Sequence, residues 1–306
     1  MTSLYWDNFK LRENETIECI KNRIDPPIRR VSVFITNTCN FRCAYCNMKF
    51  GKQEMYKDIF DDIVKQYRDS IIHITGGEPS VVGWLYNYID SNKGTFHLNT
   101  NAYIVPPTNI KRLKVSLDSC DEEYFNKLVC KSGAFEKICQ NIKDFSPKAI
   151  TSITSVLNRE NYKDSPKFMA FCRKEFPNLY AVFFSIYKGK NPRFIMNDID
   201  TSTFFDYISH DLEKEMDKES LSLFRETIDE KRRIVNGERF PENKVGSICY
   251  LSLSERAYDW NGKLYRCSHL LRDGVYNNDS KICNECRYGC NRRLVKFNQD
   301  VQMALT

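Results

Sequence analysis

Apolar and polar positions along the chain predict strands and helices in alternation. Val31-Ser32-Val33-Phe34-Ile35-Thr36 is an apolar run typical of a strand, and Ile71-Ile72-His73-Ile74-Thr75 is a second one. Between them, apolar residues at helical spacing predict an amphipathic helix over 55–69: Tyr56, Ile59, Phe60, Ile63, Val64 and Tyr67. The order strand, helix, strand predicts a βαβ unit in a parallel sheet.

The same alternation continues to about residue 186. It predicts strands at 95–99, 112–118, 149–156 and 180–186, with helices near 80–92, over 121–143 with an interruption at Gly133, and over 160–175. Six parallel strands would close only part of a barrel and leave a lateral mouth, with the functional site at the carboxyl ends of the strands. The predicted fold is therefore α/β, a partial (β/α)6 barrel.

The chain after the predicted barrel divides into a long charged helix, a linker and a small second unit. The helix is expected over 202–235, and Gly237, Pro241 and Gly246 mark a linker within 236–246. The segment Tyr258 to Arg266 predicts a hairpin turning at Asn261-Gly262. The expected organisation is an extended N-terminal approach over 1–29, a barrel domain over 30–235 and a C-terminal unit over 236–306.

Composition narrows the class of protein. The chain has 306 residues, of which 42% are hydrophobic and 28% charged, so a globular protein without a membrane-spanning segment is expected. The first residues show no secretory signal, and the 13 cysteines are an odd number, so reduced thiols and a cytoplasmic location are predicted. The net charge of +6 is modest, which makes nucleic acid an improbable partner.

Three cysteines follow the first predicted strand directly. Cys39, Cys43 and Cys46 form a C-x3-C-x2-C spacing, and three thiolates on one loop can hold an iron-sulfur cluster that keeps one iron free of protein ligands. The alternatives are an incomplete zinc site, disulfide cysteines or small buried residues. A second motif, Gly76-Gly77-Glu78-Pro79, ends the second strand. Its two glycines would let the backbone approach a ligand closely, and its carboxylate could bind an ammonium group. The alternative interpretation is an ordinary strand-to-helix turn.

The cysteine spacing, the aromatic residue before the last cysteine and the Gly-Gly-Glu-Pro motif in that order resemble the radical S-adenosylmethionine enzymes. The resemblance implies that Cys39, Cys43 and Cys46 bind a [4Fe-4S] cluster, whose open iron chelates S-adenosylmethionine and whose electron yields a 5'-deoxyadenosyl radical. It also implies that this cofactor is contacted by Tyr45, Gly76, Gly77, Glu78, Pro79, Thr100, Ser116 and Asp118. Ala102 departs from the family's Thr-Asn-Gly pattern, which puts a glycine-type turn there in question.

Several of these residues also have plain structural interpretations. Ser116 and Asp118 could cap the following helix. His73 and His97 are expected to be satisfied interior histidines. The isolated cysteines at 19, 120, 130, 139 and 172 show no metal spacing and are expected to be packing thiols.

Cysteine density rises near the C-terminus. Cys249, Cys267, Cys283, Cys286 and Cys290 suit a structural zinc or a four-cysteine iron-sulfur cluster. Their order resembles the Twitch and SPASM auxiliary modules of radical S-adenosylmethionine enzymes, and five cysteines suit the Twitch type. That resemblance implies a second [4Fe-4S] cluster on Cys249, Cys267, Cys283 and Cys286, with Cys290 spare.

The expected reaction is abstraction of hydrogen from a substrate C–H bond, followed by net oxidation with the auxiliary cluster as electron acceptor. The alternative within the same machinery is epimerisation, with Cys290 or Cys120 as the hydrogen-atom donor. An iron-sulfur electron carrier or a zinc protein is the non-enzymatic alternative. The expected partners are a small-molecule or peptide substrate and an electron donor such as flavodoxin or ferredoxin. The short segment before the first strand favours a small molecule.

Overall fold

The computed structural model describes residues 4–187, 189–235, 250–265, 268, 271 and 292–306. Within these ranges the first half of the chain is β1 (Arg30–Phe34), α2 (Lys57–Gln66), β2 (Ile71–Thr75), α3 (Leu85–Ser91), β3 (Thr95–Thr100) and β4 (Arg112–Ser116), preceded by α1 (Leu4–Lys21). There follow α4 (Glu122–Leu128), α5 (Ala134–Phe145), β5 (Ile150–Leu157), α6 (Ser165–Glu175) and β6 (Ala181–Ile186). The predicted alternation of strands and helices is thus confirmed.

The described strands form one sheet in the order β6-β5-β4-β3-β2-β1-β7-β8. Neighbours from β6 to β1 are parallel. Alternate strand residues, among them Val31, Ile74, Leu98 and Val115, join helix residues in the main hydrophobic core. The carboxyl ends of all six strands therefore lie at one edge, as predicted for an α/β fold with a mostly parallel sheet.

The C-terminal hairpin extends this sheet. Its strands are β7 (Glu255–Tyr258) and β8 (Leu264–Tyr265), and β7 pairs in parallel with β1. The hairpin prediction is confirmed, with a connection of several residues organised by Asp259, whose side chain accepts from the backbone N–H groups of Asn261 and Lys263. Gly262 in this turn has φ +75°. The domain boundary at 236 remains a prediction, and most of 236–306 lies outside the described residues.

The N-terminal segment differs from the prediction. Residues 4–21 are helical where an extended approach to β1 was expected. Ile17 and Ile20 of α1 pack against Tyr250, Phe297 and Val301, the last two on the terminal helix α10 (Arg292–Leu305). The partners of α1 on α10 are far from it in the sequence. The spacing of apolar residues within α1 was therefore not enough to predict this helix.

The long helix expected over 202–235 is divided. It comprises α7 (Asp198–Thr203), a π-helical turn over 204–208, α8 (Ser209–Glu215) and α9 (Lys218–Val235). Met216 is extended with ψ 140°, and the Asp217 carboxylate accepts from the Ser220 N–H at 2.8 Å. Asp217 therefore starts a new helix in a stretch whose apolar periodicity runs on across the break. No described helix has the length and hydropathy to cross a membrane.

Candidate active site at the carboxyl ends of the strands

The cysteine loop and the Gly-Gly-Glu segment are joined backbone to backbone. The Gly77 N–H donates to the Thr36 carbonyl at 2.7 Å, and the Glu78 N–H donates to the Thr38 carbonyl at 2.8 Å. A Cβ on Gly77 would lie 2.0 Å from the Thr38 carbonyl oxygen, and one on Gly76, where φ is +139°, would lie 2.5 Å from that of Thr36. The glycines are therefore needed for the approach of the chain that leads into Cys39.

The loop that carries the cysteines is closed at its base. The Asn37 side chain exchanges hydrogen bonds with Gln53, and the Thr38 hydroxyl donates to the Gly51 carbonyl at 3.1 Å. The Arg42 and Ala44 N–H groups donate to the carbonyls of Val129 and Leu128 at the end of α4. The cysteine segment is thus fixed at both its base and its tip.

The three motif thiols lie in one electrostatic neighbourhood. Cys39 and Cys43 are half-buried and Cys46 is exposed, and none forms a disulfide. Burial raises the pKa of Cys39 to about 11, and the charges of Glu78 and Cys46 act in the same direction. Burial also raises the pKa of Cys43 well above its usual value, with further contributions from Asp118, Cys46 and Cys39. A metal cation would reverse this, because a coordinated thiol is deprotonated.

Three cysteine thiols in a C-x3-C-x2-C spacing are a donor set that suits an iron-sulfur cluster. In the described part of the chain, no three His, Cys, Asp or Glu side chains are placed to hold one metal ion. A cubane cluster binds each thiolate through a different iron, so its ligands surround a larger body than one zinc ion. The Phe41 N–H also donates to the Cys39 sulfur at 3.4 Å, a contact that favours the thiolate.

Glu78 is held at the end of β2 by donors from the next strand. Its Oε1 accepts from the Thr100 hydroxyl at 2.6 Å and the Ser80 N–H at 3.0 Å, and its Oε2 accepts from the Asn101 N–H at 2.7 Å. Burial nevertheless raises the pKa of this carboxyl. Neutral donors thus fix the position of this carboxyl group, which in its ionised form would attract an ammonium group.

Tyr45 and Asp118 meet beside the cysteines. The Tyr45 hydroxyl donates to Asp118 Oδ2 at 2.5 Å, while the Val156 N–H donates to Oδ1 at 2.7 Å. The Tyr45 ring makes edge contacts with Tyr187 and Phe194, with centroids 6.4 and 6.1 Å away. Burial raises the pKa of Asp118 to about 6. The tyrosine thus joins the cysteine loop to β4 and β5.

The capping alternative for Ser116 and Asp118 is wrong. Helix α4 is capped by Asp121, whose carboxylate accepts from the Tyr124 N–H at 2.9 Å. Ser116 is exposed at the end of β4, and Pro79 is buried at the start of a short 3-10 turn. The resemblance places all three near the cofactor, and they do lie at the carboxyl-end edge of the sheet.

Ala102 adopts left-handed backbone at the position where the family resemblance implies a glycine. It has φ +52° and is buried, and its carbonyl accepts from the Asn141 side chain at 2.7 Å. Left-handed backbone strains a residue with a Cβ, at a cost of roughly 1–2 kcal/mol. The turn at Ala102 is therefore formed at the expense of local strain.

Cys120 lies toward the helices. The groups that influence its pKa include Lys167 and Asp164 at α6, and its own charge raises the pKa of Cys172 on that helix. This supports its interpretation as a packing thiol more than its assignment as a hydrogen-atom donor. Cys249, Cys267, Cys283, Cys286 and Cys290 lie outside the described residues.

The sequence did not identify three residues of the site. The Asn101 side chain donates to Asn40 Oδ1 at 2.7 Å, which ties the end of β3 to the residue after Cys39. Phe194, fully buried, closes the side of Tyr45. Their only signal was Asn101 within Thr-Asn-Ala, since Asn40 and Phe194 belong to no periodic pattern.

Part of this chain is similar in sequence to curated proteins. Similar curated sequences include a GTP 3',8-cyclase of Hydrogenovibrio crunogenus, 30% identical over 145 residues (39% of this chain and 43% of that protein). A probable GTP 3',8-cyclase of Methanocaldococcus jannaschii is 27% identical over 174 residues, covering 50% and 58%. The chain spans about half the length of the curated relatives that it matches.

Solved structures share the fold. Streptococcus suis SuiB bound to S-adenosylmethionine aligns with a TM-score of 0.58 and 15% identity over 94% of this chain and 71% of that one. The protein anSMEcpe with bound AdoMet and a peptide aligns with a TM-score of 0.55 and 15% identity, covering 92% and 84%. The Radical SAM superfamily model matches residues 33–172, which include all three motif cysteines, Glu78 and Asp118. Residues 33–172 of this chain are therefore similar to the radical SAM superfamily, and this match covers slightly less than half of the chain.

Proposed function

We propose that this protein is an enzyme that reductively cleaves S-adenosylmethionine and uses the 5'-deoxyadenosyl radical to abstract hydrogen from a substrate C–H bond. The observation that carries the proposal is the junction of Thr36–Thr38 with Gly76–Glu78, which brings three free thiols and a fixed carboxylate to one edge of the sheet. A [4Fe-4S] cluster bound by Cys39, Cys43 and Cys46 would supply the single electron that breaks the sulfonium C–S bond.

The chain's own residues would orient S-adenosylmethionine. Glu78 supplies a buried carboxylate for its ammonium group, and the Thr100 hydroxyl and the Asn101 N–H keep that carboxylate in place. Tyr45 supplies an aromatic ring, held by Asp118 and flanked by Phe194, beside which an adenine can lie. Ser116, exposed at the end of β4, offers a hydroxyl for the ribose. Each of these roles is carried over from the family resemblance to the residue of this chain that matches the family's motif.

The finer proposal is net oxidation of the substrate radical. A second [4Fe-4S] cluster on Cys249, Cys267, Cys283 and Cys286 would accept the second electron, and the product would lose two hydrogens or gain a new bond. The hairpin β7–β8, which lies between Cys249 and Cys267 in the sequence, supports this module because it joins the barrel sheet next to β1. Flavodoxin or ferredoxin would supply the first electron.

Two other reactions use the same radical. Epimerisation would end with transfer of a hydrogen atom from a thiol, and Cys290 is the candidate donor because Cys120 lies toward the helices. The other of these two reactions is cyclisation of a nucleotide. It is favoured by the names of the matching relatives and by the cationic inner face of the sheet described below.

The test is anaerobic reconstitution with iron and sulfide, followed by incubation with S-adenosylmethionine and dithionite. Formation of 5'-deoxyadenosine is expected, and its absence from protein that carries a cluster would contradict the proposal. About eight irons per chain would support two four-iron clusters, while zinc in place of half of the iron would refute the auxiliary cluster. With the substrate in hand, solvent deuterium at the attacked carbon would indicate epimerisation and its absence oxidation.

A further inference from the structure

The two faces of the barrel sheet differ in polarity. On one face, the apolar positions of β1 to β4 contact the helices: Val31, Val33, Ile72, Ile74, Phe96, Leu98, Leu113 and Val115. The alternate positions form what we call the inner face: the polar Arg30, Ser32, His73, Thr75, His97, Asn99, Arg112, Lys114 and Ser116, together with the apolar Phe34 and Ile71. A closed barrel of this kind fills its interior with branched apolar side chains. Here the inner face is mainly polar and carries cations, and Lys114 Nζ lies 4.4 Å from the centroid of the Phe183 ring.

Strand register brings these groups into rows. His73 of β2 is the partner of His97 on β3, and His97 is the partner of Arg112 on β4. In the next row toward the carboxyl ends, Asn99 is the partner of Lys114, which is the partner of Ser152 on β5. Because neighbouring strands are about 4.8 Å apart, each three-residue row is roughly 10 Å wide. A row of this width can hold a small charged group together with the atoms bonded to it.

Cations dominate the electrostatics of this face. Burial, followed by the charges of Arg30, His97, Lys114 and Arg112, lowers the pKa of His73 well below its ordinary value. Burial, followed by Arg112 and Arg30, lowers the pKa of His97 to about 3. Within the described residues, the main charges that act on either ring are therefore those of cationic side chains.

No acidic side chain of the described residues forms an ion pair with Arg30, at the bottom of this face. Glu255 of β7 is the register partner of Arg30, yet its carboxylate forms an ion pair with Arg12 of α1 at 2.6 Å. Structural cations inside proteins are normally paired, because an isolated buried charge is costly.

Several polar atoms on this face are buried and lack a hydrogen-bond partner in the described ranges. They are Arg30 Nε, Asn99 Oδ1, Ser152 Oγ and Thr154 Oγ1, and Ser152 is completely buried. Thr154 lies on the same face, as the register partner of Ser116 and Phe183. Buried polar groups in proteins are nearly always satisfied, so each of these atoms points to a ligand.

We infer that the inner face binds an anionic group of the substrate, a carboxylate or a phosphate, between the His73–His97–Arg112 row and Lys114. Arg30 and Ser152 supply further N–H and O–H donors to the same group, and Asn99 accepts from a donor that the substrate carries. This assignment of a substrate class rests on the proposed function, since it takes the barrel interior as the place where the substrate lies.

The position of the rows also constrains the shape of the substrate. From His97 to Thr100 is three residues along β3, roughly 10 Å at the rise of a strand. The anionic group lies between the His97 row and Lys114, so it is at most about that far from the edge where Glu78 and the cysteines lie. The substrate must be long enough for one end to be held by the cations while another carbon reaches that edge.

The test uses the reconstituted full-length protein and two probes, inorganic pyrophosphate for phosphoryl groups and succinate for carboxylates. Calorimetric titration is expected to show one site for at least one probe. Lys114→Met should weaken binding about tenfold or more, as expected for loss of a charge-assisted contact, and Lys114→Arg should restore most of it. Lys111→Met is the matched control, because Lys111 is exposed on the same segment and should leave binding unchanged. Failure of both probes to bind, or wild-type binding by Lys114→Met, would overturn the inference.

A measurement on the wild-type protein covers the case in which Lys114→Met fails to fold. In protein with nitrogen-labelled histidine, a saturating probe should shift the ring signals of His73 and His97 and leave that of His210, exposed on α8, unchanged. Unshifted His73 and His97 signals would overturn the inference.

The two proposals can fail separately. A Cys39→Ala variant should lose cleavage of S-adenosylmethionine and still bind the probe. Wild-type protein that cleaves S-adenosylmethionine but binds neither probe would refute the anion site alone, and the reverse result would refute the proposed function alone.

Discussion

The Tyr45 hydroxyl and the Asp118 carboxylate form a hydrogen bond of 2.5 Å that joins positions 73 residues apart in the sequence. Tyr45 belongs to the cysteine segment, and Asp118 follows β4 and accepts from the N–H of Val156 on β5. One side chain thus sets the position of the cysteine loop relative to two strands. The loop is part of the folded barrel and not an appendage to it.

Replacing Tyr45 tests this link. Tyr45→Phe keeps the ring and leaves a buried carboxylate with one donor fewer, so we expect a loss of about 1–3 kcal/mol in the free energy of unfolding. Chemical denaturation of the metal-free protein measures it. Tyr124→Phe is the control, because the Tyr124 hydroxyl makes only an exposed contact of 3.3 Å with Glu160. Its loss should lower the free energy of unfolding by less than about 0.5 kcal/mol. Equal effects of the two substitutions would show that Tyr45 does not anchor the loop.

The glycine junction gives a second prediction. Gly77→Ala places a methyl group 2.0 Å from the Thr38 carbonyl oxygen, so the cysteine loop must move away. We expect a loss of about 1–3 kcal/mol in stability, together with reduced iron incorporation on reconstitution. Gly83→Ala, with no atom within 4 Å of the added methyl, should keep the wild-type iron content. Normal iron loading of Gly77→Ala would argue against the junction as the support of the site.

The histidines of the inner face make stability depend on pH. The pKa of His97 is about 3 in the folded protein against an ordinary value of 6.5, so the unfolded chain binds more protons between these values. The stability that comes from neutral His97 is therefore complete above pH 6.5 and is lost as the pH falls toward about 3.

In a buffer without multivalent anions, the free energy of unfolding should therefore fall more steeply for wild type than for His97→Gln. Between about pH 7 and pH 5 the difference should be roughly 2 kcal/mol. His210→Gln, a change on the surface of α8, should follow the wild type. If His97→Gln followed it too, the histidine would not be held neutral by its surroundings.

The strands and helices of the barrel were predictable because apolar residues are spaced differently along a strand and along a helix. The run Ile71–Thr75 was predicted with its observed bounds, and α2 lies within the predicted 55–69. Helix α1 was missed because its stabilising partners are at the other end of the chain, and the break at Met216 was missed because apolar periodicity continues across it. The local pattern of apolar residues does not show which distant segments a helix will pack against.

At the site, the motif residues were predictable by resemblance, while their contacts were not. The sequence identified Gly76 and Gly77 as places where backbone can approach a ligand closely, whereas the structure shows that they approach the cysteine loop. His73 and His97 were expected to be satisfied interior histidines. Their common row with Arg112 depends on strand register, which a single sequence does not reveal.

The central claim is that Cys39, Cys43 and Cys46 hold the cluster on which S-adenosylmethionine is cleaved. The most direct measurement is the yield of 5'-deoxyadenosine from S-adenosylmethionine and dithionite, compared between anaerobically reconstituted Cys46→Ala and Cys130→Ala. Both cysteines are exposed and free, but only Cys46 belongs to the motif. The account predicts that Cys46→Ala retains its fold and yields no 5'-deoxyadenosine, while Cys130→Ala yields as much as the wild type. Wild-type yield from Cys46→Ala would contradict it.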